Sequence, residues 1–174
     1  CVAGSRLLIE ASVKAQFLAL LIERVSRIRV GSPNERETEY GPLCTERQLR
    51  NIETVVENSA RQGAKVLAGG KRLERDGYYY APTILDCTGV AQADSITTEL
   101  FGPVLSVDTF ESEQEAIEKA NGTAYGLAAG IFTTNLTRAH RVSKRVRSGI
   151  VWINTYRAVS PLVPFGGFGL SGHG

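Results

Sequence analysis

Hydrophobic and polar positions alternate along this chain in blocks whose period switches between that of a strand and that of a helix. Residues 5–10, Ser5-Arg6-Leu7-Leu8-Ile9-Glu10, read as a short buried strand. From Ser12 to about Ile28, Val13, Phe17, Leu20, Leu21, Val25 and Ile28 recur every third or fourth position, the repeat of an amphipathic helix. Residues 31–42 hold Gly31, Pro33, Gly41 and Pro42 amid alternating charge and predict a loop. Thr45 predicts a helix N-cap with Gln48 at capping-box spacing; Leu49, Ile52, Val56 and Ala60 form the buried stripe, and Gly63 ends the helix. Strands are expected at 64–68, 78–85 and 104–110, then a helix near 112–120 opening on Ser112. Apolar, β-rich runs at 127–133 and 149–154 flank a helix over about 135–147. This alternation predicts an α/β fold, a layered α/β/α domain with a mostly parallel sheet. No repeat, linker or low-complexity segment interrupts it, and 174 residues suit a single domain.

Composition narrows the partners. Apolar residues make up 43% and charged residues 22%, ordinary for a globular protein. A net charge of +2 gives no electrostatic case for nucleic acid or an anionic membrane. The nearest basic cluster, Arg138, Arg141, Lys144, Arg145 and Arg147, has helical spacing and reads as a solvated helix face without the interleaved aromatics that RNA binding needs. No apolar run approaches the roughly 20 residues of a membrane span. Cys1, Cys44 and Cys87 lie too far apart in sequence for a zinc site or disulfide framework, which points to a reducing, cytoplasmic compartment. His140 and His173 make no metal site, and none is expected. Asn121-Gly122-Thr123 and Asn135-Leu136-Thr137 match the glycosylation sequon, read as chance matches without a secretory signal.

Chemistry concentrates in three stretches. The chain opens on Cys1-Val2-Ala3-Gly4-Ser5-Arg6 and contains no methionine, so a piece of a longer or processed polypeptide is expected. Ala3, Gly4 and Ser5 leave room for a substrate carbon to reach sulfur, although a free thiol near pKa 8.5 is only a few per cent ionised at neutral pH, about the reference value. Glu99-Leu100-Phe101-Gly102-Pro103 comes next. Last is Pro164-Phe165-Gly166-Gly167-Phe168-Gly169-Leu170-Ser171-Gly172, whose G-x-G-x-x-G lacks the strand-to-helix setting of a dinucleotide fingerprint. In this order the three resemble the second half of the NAD(P)-dependent aldehyde dehydrogenase superfamily.

The resemblance covers essentially the whole chain and implies the catalytic-domain fold of that superfamily. It implies that Cys1 is the catalytic nucleophile, adding to an aldehyde to give a thiohemiacetal and then a thioester that water hydrolyses. Glu99 would accept hydrogen bonds from the nicotinamide-ribose hydroxyls of NAD or NADP, Phe101 would pack near the nicotinamide, and Gln48 would lie toward the adenosine. Asn154, Arg157, Val159 and Phe165 would line the aldehyde tunnel; many relatives carry an aromatic where Val159 stands, and an arginine at Arg157 is not a general family feature. The superfamily's base glutamate, oxyanion-hole asparagine and Rossmann-type domain precede the cysteine. These 174 residues alone are therefore expected to be inactive, and the parent to be a homodimer or homotetramer acting on a small-molecule aldehyde. Other readings stay open: an N-terminal-cysteine amidohydrolase using its own α-amine as base, or a non-catalytic structural or interaction remnant.

Overall fold

The computed structural model describes residues 1–174. Backbone contacts divide them into two compact units, Ser5–Thr109 and Cys1–Gly4 with Phe110–Gly174.

The Ser5–Thr109 unit is built on a four-stranded sheet in the order β1 (Arg6–Glu10), β4 (Val104–Phe110), β3 (Thr83–Asp86), β2 (Lys65–Ala68). β3 and β4 run parallel, and β2 pairs antiparallel with β3 at the edge. Successive strand side chains point to opposite faces, and β3 divides its residues accordingly. Ile84 joins Ile9, Leu18 and Val107 on one side; Leu85 joins Leu49, Ile52, Val55, Val56, Leu100 and Val104 on the other. Helix α1 (Lys14–Ser26) covers the first face and α2 (Glu46–Arg61) the second. The short helix α3 (Asp94–Thr97) packs against α2. The unit is thus a layered α/β/α arrangement.

Several elements differ from the sequence expectation for identifiable reasons. α1 follows a single 3-10 turn at Ala11–Val13 and presents Leu18, Leu21, Ile22 and Val25 to the sheet, while Val13, Phe17 and Leu20 stay exposed. The helix is apolar around most of its circumference, so its pattern allowed either face. On α2 the stripe closes with Ser59, not Ala60: the Ser59 hydroxyl donates to the Val55 carbonyl at 2.8 Å and accepts from the Ser95 amide at 2.9 Å, which satisfies it inside the core. The strand expected at 78–85 starts at Thr83. Pro82 has no N–H to give, and the preceding backbone pairs elsewhere, Leu73 N–H to the Tyr79 carbonyl at 3.0 Å and Ala81 N–H to that of Lys71 at 2.9 Å.

α1 is tied to the sheet by Lys14, whose ammonium donates to Asp86 Oδ2 at 2.7 Å and Thr88 Oγ1 at 2.9 Å. Burial alone pushes the Asp86 carboxyl up, but the hydrogen bonds from Lys14 and Thr88 outweigh it and hold it below the usual carboxylate range. A folded value below the unfolded one means that the interaction stabilises above about pH 4 and fades as pH falls through the folded value. Lys14→Met is expected to cost about 1 kcal/mol at neutral pH. Urea unfolding checks this, with the difference from wild type shrinking at about pH 3.

The second unit holds a parallel pair, β5 (Ala128–Ile131) and β6 (Ile150–Ile153), with helices α4 (Glu113–Asn121) and α5 (Leu136–Ser143). Ser112 and Asn135 cap the two helices through their side chains. α5 stops at Ser143, short of the expected 147, because the Asn121 carboxamide takes both the Arg145 carbonyl and the Arg147 N–H and draws that backbone out of helical register. The basic cluster turns back on α4: Arg141 forks onto Glu113 at 2.6 Å through two nitrogens, Arg138 approaches the same carboxylate at 3.6 Å, and Arg145 donates to Gln114. No helix is long and apolar enough to cross a membrane.

Candidate active site

The sequence-predicted residues fall into two groups, one on each unit. In the Ser5–Thr109 unit, Gln48, Glu99 and Phe101 come together through one turn. Thr45 caps α2 by accepting the Gln48 N–H at 3.2 Å, the first half of the expected capping box. The reciprocal half is missing. The Gln48 carboxamide reaches across the sequence and donates to the Phe101 carbonyl.

That carbonyl belongs to a residue in a left-handed conformation, φ +50° at Phe101, sterically costly for any side chain but glycine. Its neighbours hold it there. Leu100 is buried in the core with Ile52, Leu43 and Val104, and Gly102 lies so close to α2 that a Cβ would stand 2.2 Å from Ile52 Cδ1. With Leu100 anchored inward, Glu99 and Phe101 on either side of it are both exposed. The turn displays a carboxylate and an aromatic ring from a fixed backbone.

In the other unit, Cys1 is an exposed free thiol. Its segment meets the stretch after β6, where a Cβ on Gly4 would stand 3.8 Å from the Tyr156 hydroxyl. Asn154 and Arg157 both have left-handed backbones, φ +54° and +66°. Asn154 uses its side chain to fix this turn: Oδ1 accepts the Thr133 N–H and Nδ2 donates to the Thr133 carbonyl, each at 2.9 Å. Trp152 fixes the other side by donating its indole N–H to the Ala158 carbonyl at 2.7 Å. Between them the Tyr156 ring sits edge-on to Trp152, centroids 4.7 Å apart, over Gly130, where a Cβ would come within 2.6 Å of the ring.

Val159 and Phe165 are exposed on the irregular segment that follows. The glycine-rich tail then folds back: Phe168 N–H bonds the Gly126 carbonyl at 3.0 Å and Leu170 N–H that of Ala124 at 2.9 Å. Its glycines permit close backbone packing. A Cβ at Gly169 would lie 2.2 Å from the Ala124 carbonyl oxygen.

The other cysteines differ from Cys1. Cys87 is fully buried with its sulfur 3.6 Å from the Ser95 hydroxyl, and burial pushes its thiol up, which makes it inert. Cys44 is exposed. Sequence reasoning missed Tyr156 and Trp152, the pair that braces the turn beside Gly4. Gly130 was the available signal, since a lone glycine inside a strand marks a close approach.

The sequence matches the Aldehyde dehydrogenase family over residues 1–174. The chain belongs to this family. Among curated relatives, it is 66% identical over 174 residues to the (Z)-2-((N-methylformamido)methylene)-5-hydroxybutyrolactone dehydrogenase of Acinetobacter baylyi, spanning all of this chain and 36% of that protein. Among solved structures, PnpE from Pseudomonas sp. WBC-3 superposes with a TM-score of 0.94 at 40% identity, over 100% of this chain and 36% of that one. Betaine aldehyde dehydrogenase from Staphylococcus aureus in complex with NAD+ gives 0.93 at 37% identity, over 99% of this chain and 35% of that one. The chain therefore spans about a third of the length of the relatives it matches.

Proposed function

We propose that the protein to which this chain belongs oxidises an aldehyde to a carboxylic acid with NAD(P), using Cys1 as the nucleophile. The single observation that carries this reading is the exposed Cys1 thiol, headed into a small-residue segment that abuts the fixed turn at 154–157. The family match and the relatives' names support it: one relative is a substituted 5-hydroxybutyrolactone dehydrogenase, and another was solved in complex with NAD+.

The Cys1 thiolate adds to the aldehyde carbon, and the carbonyl π electrons move to oxygen to give a thiohemiacetal oxyanion. When bound, the nicotinamide of NAD(P) supplies the acceptor for the hydride that leaves this carbon. The resulting Cys1 thioester is hydrolysed by water, which releases the acid and returns the thiol. Glu99 suits the ribose hydroxyls, because a carboxylate offers two acceptor oxygens and no competing donor. Phe101 suits the flat face of the nicotinamide. Gln48 acts here chiefly through the turn, since its donor is engaged by the Phe101 carbonyl. The exposed Val159 and Phe165 and the polar Arg157 suit a mixed lining for the aldehyde.

The test uses iodoacetamide on the full-length protein, followed by peptide mapping. Cys1 is expected to be alkylated ahead of Cys44 and Cys87, with loss of aldehyde-dependent NADH formation tracking Cys1 label alone. Bound NAD+ is expected to change the Cys1 rate and leave that of Cys44 alone. Full activity with Cys1 quantitatively alkylated would overturn the reading.

A further inference from the structure

Arg157 is built into its turn in a way that its own conformational preference opposes. A non-glycine residue at φ +66° persists only where its surroundings over-determine it, and here they do. On one side Asn154 is clamped at both ends of its carboxamide to Thr133, and on the other Trp152 holds the Ala158 carbonyl. Tyr156, immediately before Arg157, is wedged against Trp152 and over Gly130.

The product of these constraints is an exposed guanidinium with no ion pair to any carboxylate of its unit, whereas Arg138 and Arg141 nearby in sequence are both paired with Glu113. Arg157 directly follows Tyr156, whose ring also approaches Gly4 of the Cys1 segment, and its charge opposes the upward push that burial gives the Tyr156 hydroxyl.

We propose that Arg157 is a specificity-determining residue that recognises a second oxygen group, carboxylate or carbonyl, on the far end of the aldehyde substrate. The inference rests on the reading of Cys1 as the nucleophile and adds the substrate class to it. A guanidinium presents donors in a planar fork that matches a carboxylate with two hydrogen bonds and a carbonyl with one or two. An aldehyde with a plain hydrocarbon end gives this fork nothing to bind and leaves it to water.

The experiment compares three aldehydes with the full-length protein and NAD: succinic semialdehyde, levulinaldehyde and pentanal, which end in a carboxylate, a ketone and a hydrocarbon. Wild type is expected to favour one or both oxygen-bearing aldehydes over pentanal in kcat/KM. Arg157→Gln is expected to cut that preference by about 30-fold, mainly through KM, the size expected for losing hydrogen bonds from a charged donor. Arg157→Gly, which relaxes the backbone, should follow Arg157→Gln, and Arg157→Lys should restore part of the preference for succinic semialdehyde.

A second readout needs no turnover. Glutarate should slow iodoacetamide alkylation of Cys1 in wild type and lose that effect in Arg157→Gln. A drop confined to succinic semialdehyde identifies a carboxylate end, and a drop on levulinaldehyde as well identifies any acceptor oxygen; both support the assignment. Equal losses on all three aldehydes, or a wild type indifferent among them, overturn it while Cys1 chemistry stands. Absence of Cys1-dependent NADH formation from every aldehyde overturns the nucleophile reading and this inference together.

Discussion

Cys1→Ala in the full-length protein is expected to lower kcat for aldehyde oxidation by about 10⁴-fold or more, the scale seen when a covalent nucleophile is removed. In the proposed reading no other residue can compensate. Glu99, Phe101 and Gln48 organise a turn in the Ser5–Thr109 unit, and in the proposed reading the residues at 154–165 bind or orient an aldehyde without giving it a bond to form. Cys1→Ser is expected to fare little better. An alkoxide is far harder to generate than a thiolate, and a serine ester would still need the hydride to leave an unactivated adduct. Cys44→Ser is the matched control: it also removes an exposed thiol, and it should leave turnover within about twofold. Steady-state NADH production, with circular dichroism to verify folding, decides the matter. A Cys1→Ala protein retaining a tenth of wild-type kcat would remove the thiol from the mechanism altogether.

What could be read in advance follows from the range of the forces involved. β1 and β4 were legible as short runs rich in apolar and β-branched residues, and Ser112 announced α4 because a cap is a local hydrogen bond. α1 shows where local information ends. Its sequence is apolar on too much of its surface, and only the sheet decides that Leu18 and Ile22 go inward while Phe17 and Leu20 stay out. The truncation of α5 had the same origin, since it depends on Asn121 in another helix. Cys1, Glu99 and Phe101 were singled out through motif resemblance. The forces that fix them were not legible, because the Gln48 bond to Phe101 spans 53 positions and Asn154 reaches Thr133 across 21. Asn154 illustrates the difference: expected to line the tunnel, it has its carboxamide engaged at both ends in holding the turn that carries Arg157.

The glycine-rich tail gives the second large effect, this time on stability. Gly149 N–H donates to the Gly126 carbonyl at 3.0 Å and begins the pairing of β5 with β6. A Cβ placed on it would stand 1.7 Å from the Gly166 carbonyl oxygen and 2.9 Å from Gly167 Cα. Both obstacles are backbone, so no rotamer change makes room. The tail would have to leave, and it is fastened by the Phe168 and Leu170 amides and by the Ser171 hydroxyl, which accepts the Gly126 N–H at 3.1 Å. Gly149→Ala is therefore expected to destabilise by about 3 kcal/mol, at the upper end of overpacking costs. Gly41→Ala, with nothing within 4 Å of its Cβ, should change stability by no more than about 0.5 kcal/mol. Hydrogen exchange locates the damage, since the amides of β5, β6 and residues 167–170 should lose protection while those of β3 and β4 keep theirs. If Gly149→Ala unfolds at the wild-type urea midpoint, the tail does not pack on Gly149, and the glycines of 166–172 need a different explanation.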